Sequence, residues 1–323
     1  MEPLKPLPDT LQEAITYFAD FENCRKFMVE LRWPEGKVEC PHCGSKGVTW
    51  LAKARVWKCY AKHERPTFSL KTGTIFEDSP IPLEKWLPAA WLLISCKNGI
   101  SSYELGRALN VTQKSAWFML QRLRLVLQDG DNGGMLSGEI EIDETFIGGK
   151  ARFMHKERRE RSGAGRPGVV GKIAVLGVLE RGGRVRTKVV RNIRRKNLLP
   201  EIQKNVEPGS MLFTDALQSY STLEQEYVHQ VIDHAVSYVE GNVHTNGMEN
   251  FWSLLKRGLK GTYISVDPFH LFRYLDEQAF RFNHRKLTDG ERFQIAMGQI
   301  VDRRLTYDEL TGKTEDLSSQ TRS

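Results

Sequence analysis

The sequence predicts a multidomain α+β protein: an N-terminal helical and zinc-ribbon region, a helix-turn-helix, then an α/β domain with a mixed five-stranded sheet and flanking helices. Three observations lead there. Cysteine and histidine spacing between Cys40 and His63 fits a small metal-stapled module. Apolar residues recur at helical intervals from Pro82 to Gln128. After Asp129-Gly-Asp-Asn-Gly-Gly134, a linker with almost no core-forming residue, the texture turns to strands. A chain of 323 residues with 40% hydrophobic residues has room for roughly two or three domains and a sizeable core.

Residues 1–35 read as helical, with apolar residues at Leu11, Ile15, Phe18 and Phe21, until Trp33-Pro-Glu-Gly36 breaks the pattern. Beyond the linker, Gly138–Phe146, Val169–Leu179 and Val185–Val190 read as three strands, Leu198–Val206 as a helix and Ser210–Thr214 as a strand ending at Asp215. Ala216–Glu226 reads as a helix, Tyr227–Ile232 as a strand, and Asn246–Leu259 and Phe269–Phe282 as amphipathic helices. A three-strand meander followed by alternating helices and strands gives a mixed sheet flanked by helices. The expected divisions are 1–36 (helical segment), 37–78 (zinc ribbon), 79–130 (helix-turn-helix region), 136–290 (sheet domain) and 291–323 (C-terminal tail).

Lys and Arg outnumber Asp and Glu by 47 to 40, which suits a polyanionic partner without identifying one. The N-terminus lacks an apolar leader, and the longest apolar stretch, Trp86–Ile94, is too short to span a bilayer. The expectation is a soluble, cytoplasmic protein with no membrane partner. Five cysteines, an odd number, argue for metal or free thiols over disulfides.

Cys40-Pro-His-Cys43 is followed by Cys59 and His63. Tetrahedral zinc takes four N or S ligands, and paired knuckles supply them two at a time. One structural Zn²⁺ is expected on Cys40, Cys43, Cys59 and His63, with Trp57 and Phe68 packing a domain too small for its own core. His42 reads as a surface residue, and Cys24 and Cys96 as small buried hydrophobes.

In Ile100–Arg124, Ser101 or Ser102 can cap a first helix, Asn110 ends it, Val111 is an apolar turn residue and Thr112 caps a second helix. The second helix is expected to expose Gln113, Lys114, Gln121, Arg122 and Arg124. Gln113, Lys114, Arg122 and Arg124 are candidate contacts to double-stranded DNA in a major groove.

Gly138–Phe146 alternates: Ile140 and Ile142 point one way, Glu139, Glu141 and Asp143 the other. A carboxylate at the end of such a strand needs compensation. Asp215 ends a second strand, and Glu249 follows near a helix start. Three such carboxylates can bind two Mg²⁺ or Mn²⁺ ions about 3.5–4 Å apart, one activating water or a 3′-hydroxyl and the other stabilising the leaving oxygen. Lys256 lies two helical turns past Glu249, placed for a DNA phosphate. Lys150–Arg166, with Arg158, Arg159, Arg161 and Arg166 among its cations, is a candidate phosphate-backbone loop, and Arg191, Arg194, Arg195 and Lys196 form a second basic cluster.

Cys40-Pro-His-Cys43-Gly, Trp57-Lys-Cys59, Phe68-Ser-Leu-Lys-Thr-Gly-Thr-Ile-Phe76 and Pro82-Leu-Glu-Lys-Trp86 resemble the zinc-ribbon region of bacterial insertion-sequence transposases of the insertion-sequence 1595 group. Ile142-Asp-Glu-Thr-Phe-Ile-Gly-Gly-Lys150, Thr214-Asp215 and His244-Thr-Asn-Gly-Met-Glu-Asn-Phe-Trp-Ser-Leu-Leu-Lys-Arg257 resemble its catalytic segments. The resemblance covers roughly residues 15 to 290. It implies a ribonuclease-H-like DDE catalytic domain over 136–290, with Asp143, Asp215 and Glu249 as metal-binding residues and Lys256 as the basic residue after the glutamate. The third role varies in this group between Glu and Asn, so Asn246 stands beside Glu249. His63 takes a place that is commonly a cysteine.

The implied function is a DNA transposase: metal-dependent cleavage at insertion-sequence ends and transfer of the 3′-hydroxyl into target DNA. The expected partners are terminal inverted repeats, target DNA and a second or further copy of the chain on DNA, at the nucleoid. Two other functions share parts of this pattern. One is a zinc-ribbon, helix-turn-helix transcription regulator with an inactive catalytic domain; the other is a hydrolysis-only structure-specific nuclease.

Overall fold

Local capping decides where the first helices begin. In the computed structural model, which describes residues 7–128, 134–148, 172–215, 227–232 and 245–312, Thr10 and Glu13 close a capping box on α1 (Leu11–Phe18), and Asp20 caps α2 (Phe21–Arg32). The one helical segment expected up to residue 35 is therefore two. Three short antiparallel strands follow, β1 (Val48–Leu51), β2 (Val56–Cys59) and β3 (Thr67–Phe68). Then come α3 (Leu83–Ser95), α4 (Ser102–Leu109) and α5 (Gln113–Val126).

A second unit, within residues 129–284, is built on a five-stranded sheet. Its elements in order are β4 (Glu139–Ile147), β5 (Ile173–Glu180), β6 (Val185–Val190), α6 (Arg195–Asn205), β7 (Met211–Asp215), β8 (Val228–Ile232), α7 (Asn246–Gly258) and α8 (Leu271–Asn283). The sheet order is β6-β5-β4-β7-β8: an antiparallel meander, then β7 and β8 running parallel to β4. This is the expected mixed sheet. The helix expected over 216–226, the basic loop over 150–166 and most of the linker lie outside the described residues.

Each face of the sheet has its own apolar layer. Ile140 and Ile142 of β4, Ala174, Leu176 and Val178 of β5 and Leu212 of β7 pack with Leu198 and Ile202 of α6. On the other face Val175, Leu179 and Val185 pack with Met248, Phe251, Trp252 and Leu255 of α7 and Leu271, Leu275, Ala279 and Phe282 of α8. β5 is covered on both faces, so it reads as a continuous apolar run rather than an alternation.

After His284 the chain belongs to the first unit again. Phe293 of α9 (Asp289–Met297) lies against Phe18, Phe27 and Trp91, with ring centroids 5.5, 5.6 and 5.1 Å away. Ile75 N–H donates to Ile300 O, and Leu310 of α10 (Tyr307–Thr311) is fully buried. The sheet unit thus ends six residues before the expected boundary at 290, and 291–312 is folded rather than tail. The apolar positions responsible, Phe293, Ala296, Met297, Ile300, Leu305 and Leu310, are all buried but scattered through a polar sequence. No described helix is long and apolar enough to cross a membrane.

Candidate active site and metal centre

The three-stranded sheet brings the cysteine motif together. Gly44 N–H and Cys43 N–H both turn back to Cys40 O, a knuckle that Gly44 permits with its positive φ of 71°. Cys59 closes β2, and its N–H donates to Pro66 O. The donor atoms of Cys40, Cys43, Cys59 and His63 all lie within 4.8 Å of one another, with Cys40 Sγ to His63 Nε2 and Cys43 Sγ to Cys59 Sγ both 3.7 Å. Three sulfurs and an imidazole at this spacing fit a tetrahedral ion. The hydrogen bond with His63 brings the Cys59 thiol down to about 7, towards the thiolate that a metal takes. His42 is exposed and outside the cluster. Cys24 is buried, its thiol pushed up to about 12 by burial, whereas Cys96 is only half-buried.

α4 and α5 are joined by a three-residue turn. Ser101 and Glu104 cap the first helix, Asn110 takes the left-handed conformation (φ 49°), and Thr112 caps the second. Gly106 suits this close approach, because a Cβ would sit a tight 3.0 Å from Val111 O. Gln113 and Lys114 are exposed at the start of α5, as expected, and Gln113 donates to Ser102 Oγ at 2.9 Å. Gln121, Arg122 and Arg124 correct the expectation: none lies on an exposed face. Arg122 is 3% and Arg124 1% exposed. Arg122 donates to Glu77 O and packs against the Phe118 and Trp86 rings. The long aliphatic stems of these arginines fill a helix surface that the chain covers almost all round.

In the sheet unit, parity does what the alternation predicts. Glu141 and Asp143 project to the α7 face, opposite Ile140 and Ile142. Asp143 Oδ2 accepts from Trp252 Nε1 at 3.0 Å, and its Oδ1 from Glu144 N–H at 2.8 Å. Asp215 closes β7. It stands two residues past Phe213, and Asp143 two past Glu141, the paired partner of Phe213. The two aspartates therefore occupy the same level of neighbouring parallel strands. The Asp215 side chain lies outside the described residues, and among the described ones no second cluster of three metal-capable groups occurs.

The start of α7 leaves Glu249 without a capping role. The N-cap of α7 is Thr245, with no side-chain cap bond, and Asn246 is the first helical residue. Asn246 and Glu249 are both exposed on the first turn and do not form a capping box. Lys256 is half-buried two turns on. Arg191, Arg194, Arg195 and Lys196 are exposed, the last three at the N-terminus of α6, where a helix dipole disfavours cations unless an anion joins them.

The helix is instead held by residues that sequence reasoning did not select. Glu141, 1% exposed, accepts Met248 N–H at 2.9 Å through Oε2 and Arg181 Nε at 3.0 Å through Oε1. A strand carboxylate thus caps the helix N-terminus, and Arg181 also pairs with Glu139 and stacks on Phe213 at 3.8 Å. Gly177, the β5 partner of Asp143, leaves the space that α7 occupies: a Cβ there would come within 2.5 Å of the Trp252 ring. Gly247 does the same from the helix side, 2.8 Å from Glu141 Oε2. The acidic alternation was the signal for Glu141, since a carboxylate on a covered face must be paired.

Comparison with known proteins adds the following. Residues 135–283 match the family model of the ISXO2-like transposase domain, nearly the whole sheet unit, and residues 20–61 match that of the transposase zinc-ribbon domain. The chain is 29% identical over 260 residues, 76% of its length, to an uncharacterized protein in transposable element ISH50 of Halobacterium salinarum, of which 85% is covered. It is 35% identical over 121 residues, 36% of its length, to an uncharacterized transposase-like protein of Haemophilus influenzae, of which 98% is covered.

Proposed function

This chain belongs to the ISXO2-like transposases of the insertion-sequence 1595 group, and from that premise we propose that it cleaves DNA at insertion-sequence ends and transfers the 3′-hydroxyl into target DNA. Asp143, Asp215 and Glu249 are the carboxylates of the reaction in this reading. Its main support is the register that sets Asp143 and Asp215 level on adjacent parallel strands. The absence of a capping role for Glu249 also favours it. The sheet order, a meander followed by two parallel strands, supports a ribonuclease-H-like domain.

Hard carboxylate oxygens suit Mg²⁺ or Mn²⁺. Two such ions bound there supply an activated nucleophile and stabilise the leaving oxygen. The chain's own part is orientation. Trp252 fixes the Asp143 rotamer, as partners of ligating carboxylates do. Glu141 sets the N-terminus of α7, and with it Glu249 and Asn246, against β4. Lys256 holds a DNA phosphate beside the site. Gln113 and Lys114 meet base edges or phosphates from the start of α5, and Arg158, Arg159, Arg161 and Arg166 add backbone contacts. One structural Zn²⁺ on Cys40, Cys43, Cys59 and His63 staples the ribbon. Joining two DNA ends calls for at least two copies of the chain.

The test is strand chemistry. Asp143→Asn, Asp215→Asn and Glu249→Gln are expected to fold, to bind the inverted-repeat end, and to lose cleavage and joining by roughly a thousandfold, about 4 kcal/mol. Retained transfer in Glu249→Gln with loss in Asn246→Ala assigns the third role to Asn246. Nicking without end transfer by the wild type identifies a hydrolysis-only nuclease, and binding without metal-dependent nicking a regulator.

A further inference from the structure

At the end of α7 the helix widens into a π-turn over Leu259–Tyr263, and the chain reverses at Ile264. Ile264 has φ 60° and ψ −55°, and Ser265 N–H donates to Tyr263 O at 2.6 Å across it. This is a γ-turn of the strained kind, and a β-branched residue at its centre is a costly choice where glycine is relaxed. The fold does not use the side chain: at 82% exposure Ile264 is the most exposed large apolar residue among those described.

The tip is nevertheless firmly held. Leu259 and Val266, on either side, pack on the core between α7 and α8. The Tyr263 hydroxyl donates to Glu277, and its ring meets Tyr274 edge-on at 4.7 Å. Glu277 is fully buried and ion-paired with Arg281 inside α8. Strain of this sort persists where the surroundings over-determine it, and it concentrates at sites of function. Along the helix and turn that lead to the tip come Lys256, half-buried, and Arg257 and Lys260, both exposed.

A partner for this feature must offer flat apolar faces within a field of negative charge. A DNA duplex opened at one base step offers both, since apolar side chains lever such steps apart while cations hold the flanking phosphates. A lipid surface calls for a broad apolar face, which a single side chain does not make. We propose that Ile264 is a wedge that unstacks a base step of the bound DNA end, with Lys256, Arg257 and Lys260 on the phosphates around it. This rests on the transposase reading for the DNA; the unstacking is additional to it. Ile264 follows Glu249 by fifteen residues on the continuation of the same helix, so the distortion falls beside the DNA segment to be cut.

The probe is a duplex carrying the inverted-repeat end that flanks the coding region, with 2-aminopurine placed at each terminal position in turn. The wild type is expected to raise its fluorescence several-fold at one position. Ile264→Ala and Ile264→Gly should abolish that rise while keeping Kd within about twofold. Ile264→Gly should also leave the Tm of the DNA-free protein at or above wild type, because glycine relaxes the turn. An unchanged fluorescence rise in Ile264→Ala overturns the wedge, and so does a Tm drop in Ile264→Gly, which makes the side chain part of the fold. Wild-type protein that binds and nicks the end with no rise removes the wedge and leaves the transposase reading standing. Wild-type protein that neither binds nor nicks removes both.

Discussion

In the N-terminal unit, Thr10, Ser101, Thr288 and Thr306 each close a capping box on the helix that follows, and Asp20 and Thr112 cap two more. In the sheet unit α6, α7 and α8 begin at Arg194, Thr245 and His270 with no side-chain cap. The α7 N-terminus is closed from a distance of more than a hundred residues, by Glu141 on Met248 N–H. In the N-terminal unit the helices other than α3, which begins at Pro82 with no side-chain cap, are started by side chains next to them in sequence. In the other, the helix of the candidate site is placed by the sheet, so its exact seating depends on tertiary contacts.

The Cys/His cluster gives the largest test of this contrast, because all four of its residues lie within 40–63. Cys59→Ser, or a strong chelator, is expected to release one zinc per chain and to strip hydrogen-exchange protection from β1–β3, since metal binding supplies roughly 10 kcal/mol or more in such modules. Protection in β4 and β5 should not change; loss there makes the two units interdependent. Next comes Glu141→Gln. It removes the charge that holds Arg181 and weakens the cap on α7, and breaking a buried pair costs about 3–5 kcal/mol. Urea denaturation should show that loss in the sheet unit, together with a fall in strand cleavage. A variant with wild-type stability refutes the latch.

Gly177→Ala touches no polar group. Its methyl meets Met248 and Trp252, so an overpacking cost of about 1–3 kcal/mol is expected. The Asp143–Trp252 hydrogen bond should loosen with it, read as an altered indole fluorescence. The smallest effect belongs to the locally capped unit: Ser101→Ala should cost about 1 kcal/mol. The Ser101 backbone N–H and then its hydroxyl hold the Glu104 carboxyl below its ordinary value of 4.5, and alanine keeps the first bond and loses the second. A depressed folded-state value stabilises above the unfolded one and is lost as pH falls through the folded value. The difference between Ser101→Ala and wild type should therefore shrink on acidification below about pH 4. A difference constant down to low pH removes Glu104 from the cap.

Much of this is legible in the sequence. Ligand chemistry demands particular residue types at short spacing, so Cys40, Cys43, Cys59 and His63 stood out and came together. Strand alternation put Asp143 on the opposite face from Ile140 and Ile142, and a core strand running into Asp215 marked the second carboxylate. The burial of Arg122 and Arg124 was not legible. A charged residue on a helix reads as exposed when nothing in the sequence tells that the remaining face is covered, and here the C-terminal segment adds to the cover, Arg303 donating to Leu125 O. That segment itself, 285–312, looked like the end of one domain and a tail.

The sequence by itself determined the elements, most helix starts of the N-terminal unit, the Cys/His cluster and the parity of the acidic strand, because each is fixed by interactions within a few residues or by a strict period. Only the tertiary structure decided that Glu141 is a buried latch, that Gly177 and Gly247 are clearances for α7, that Ile264 stands strained in solvent, and that the chain's end folds back into the N-terminal unit. These depend on which distant segments meet, and apolar burial and helix docking are non-directional forces that leave no fixed spacing in the chain.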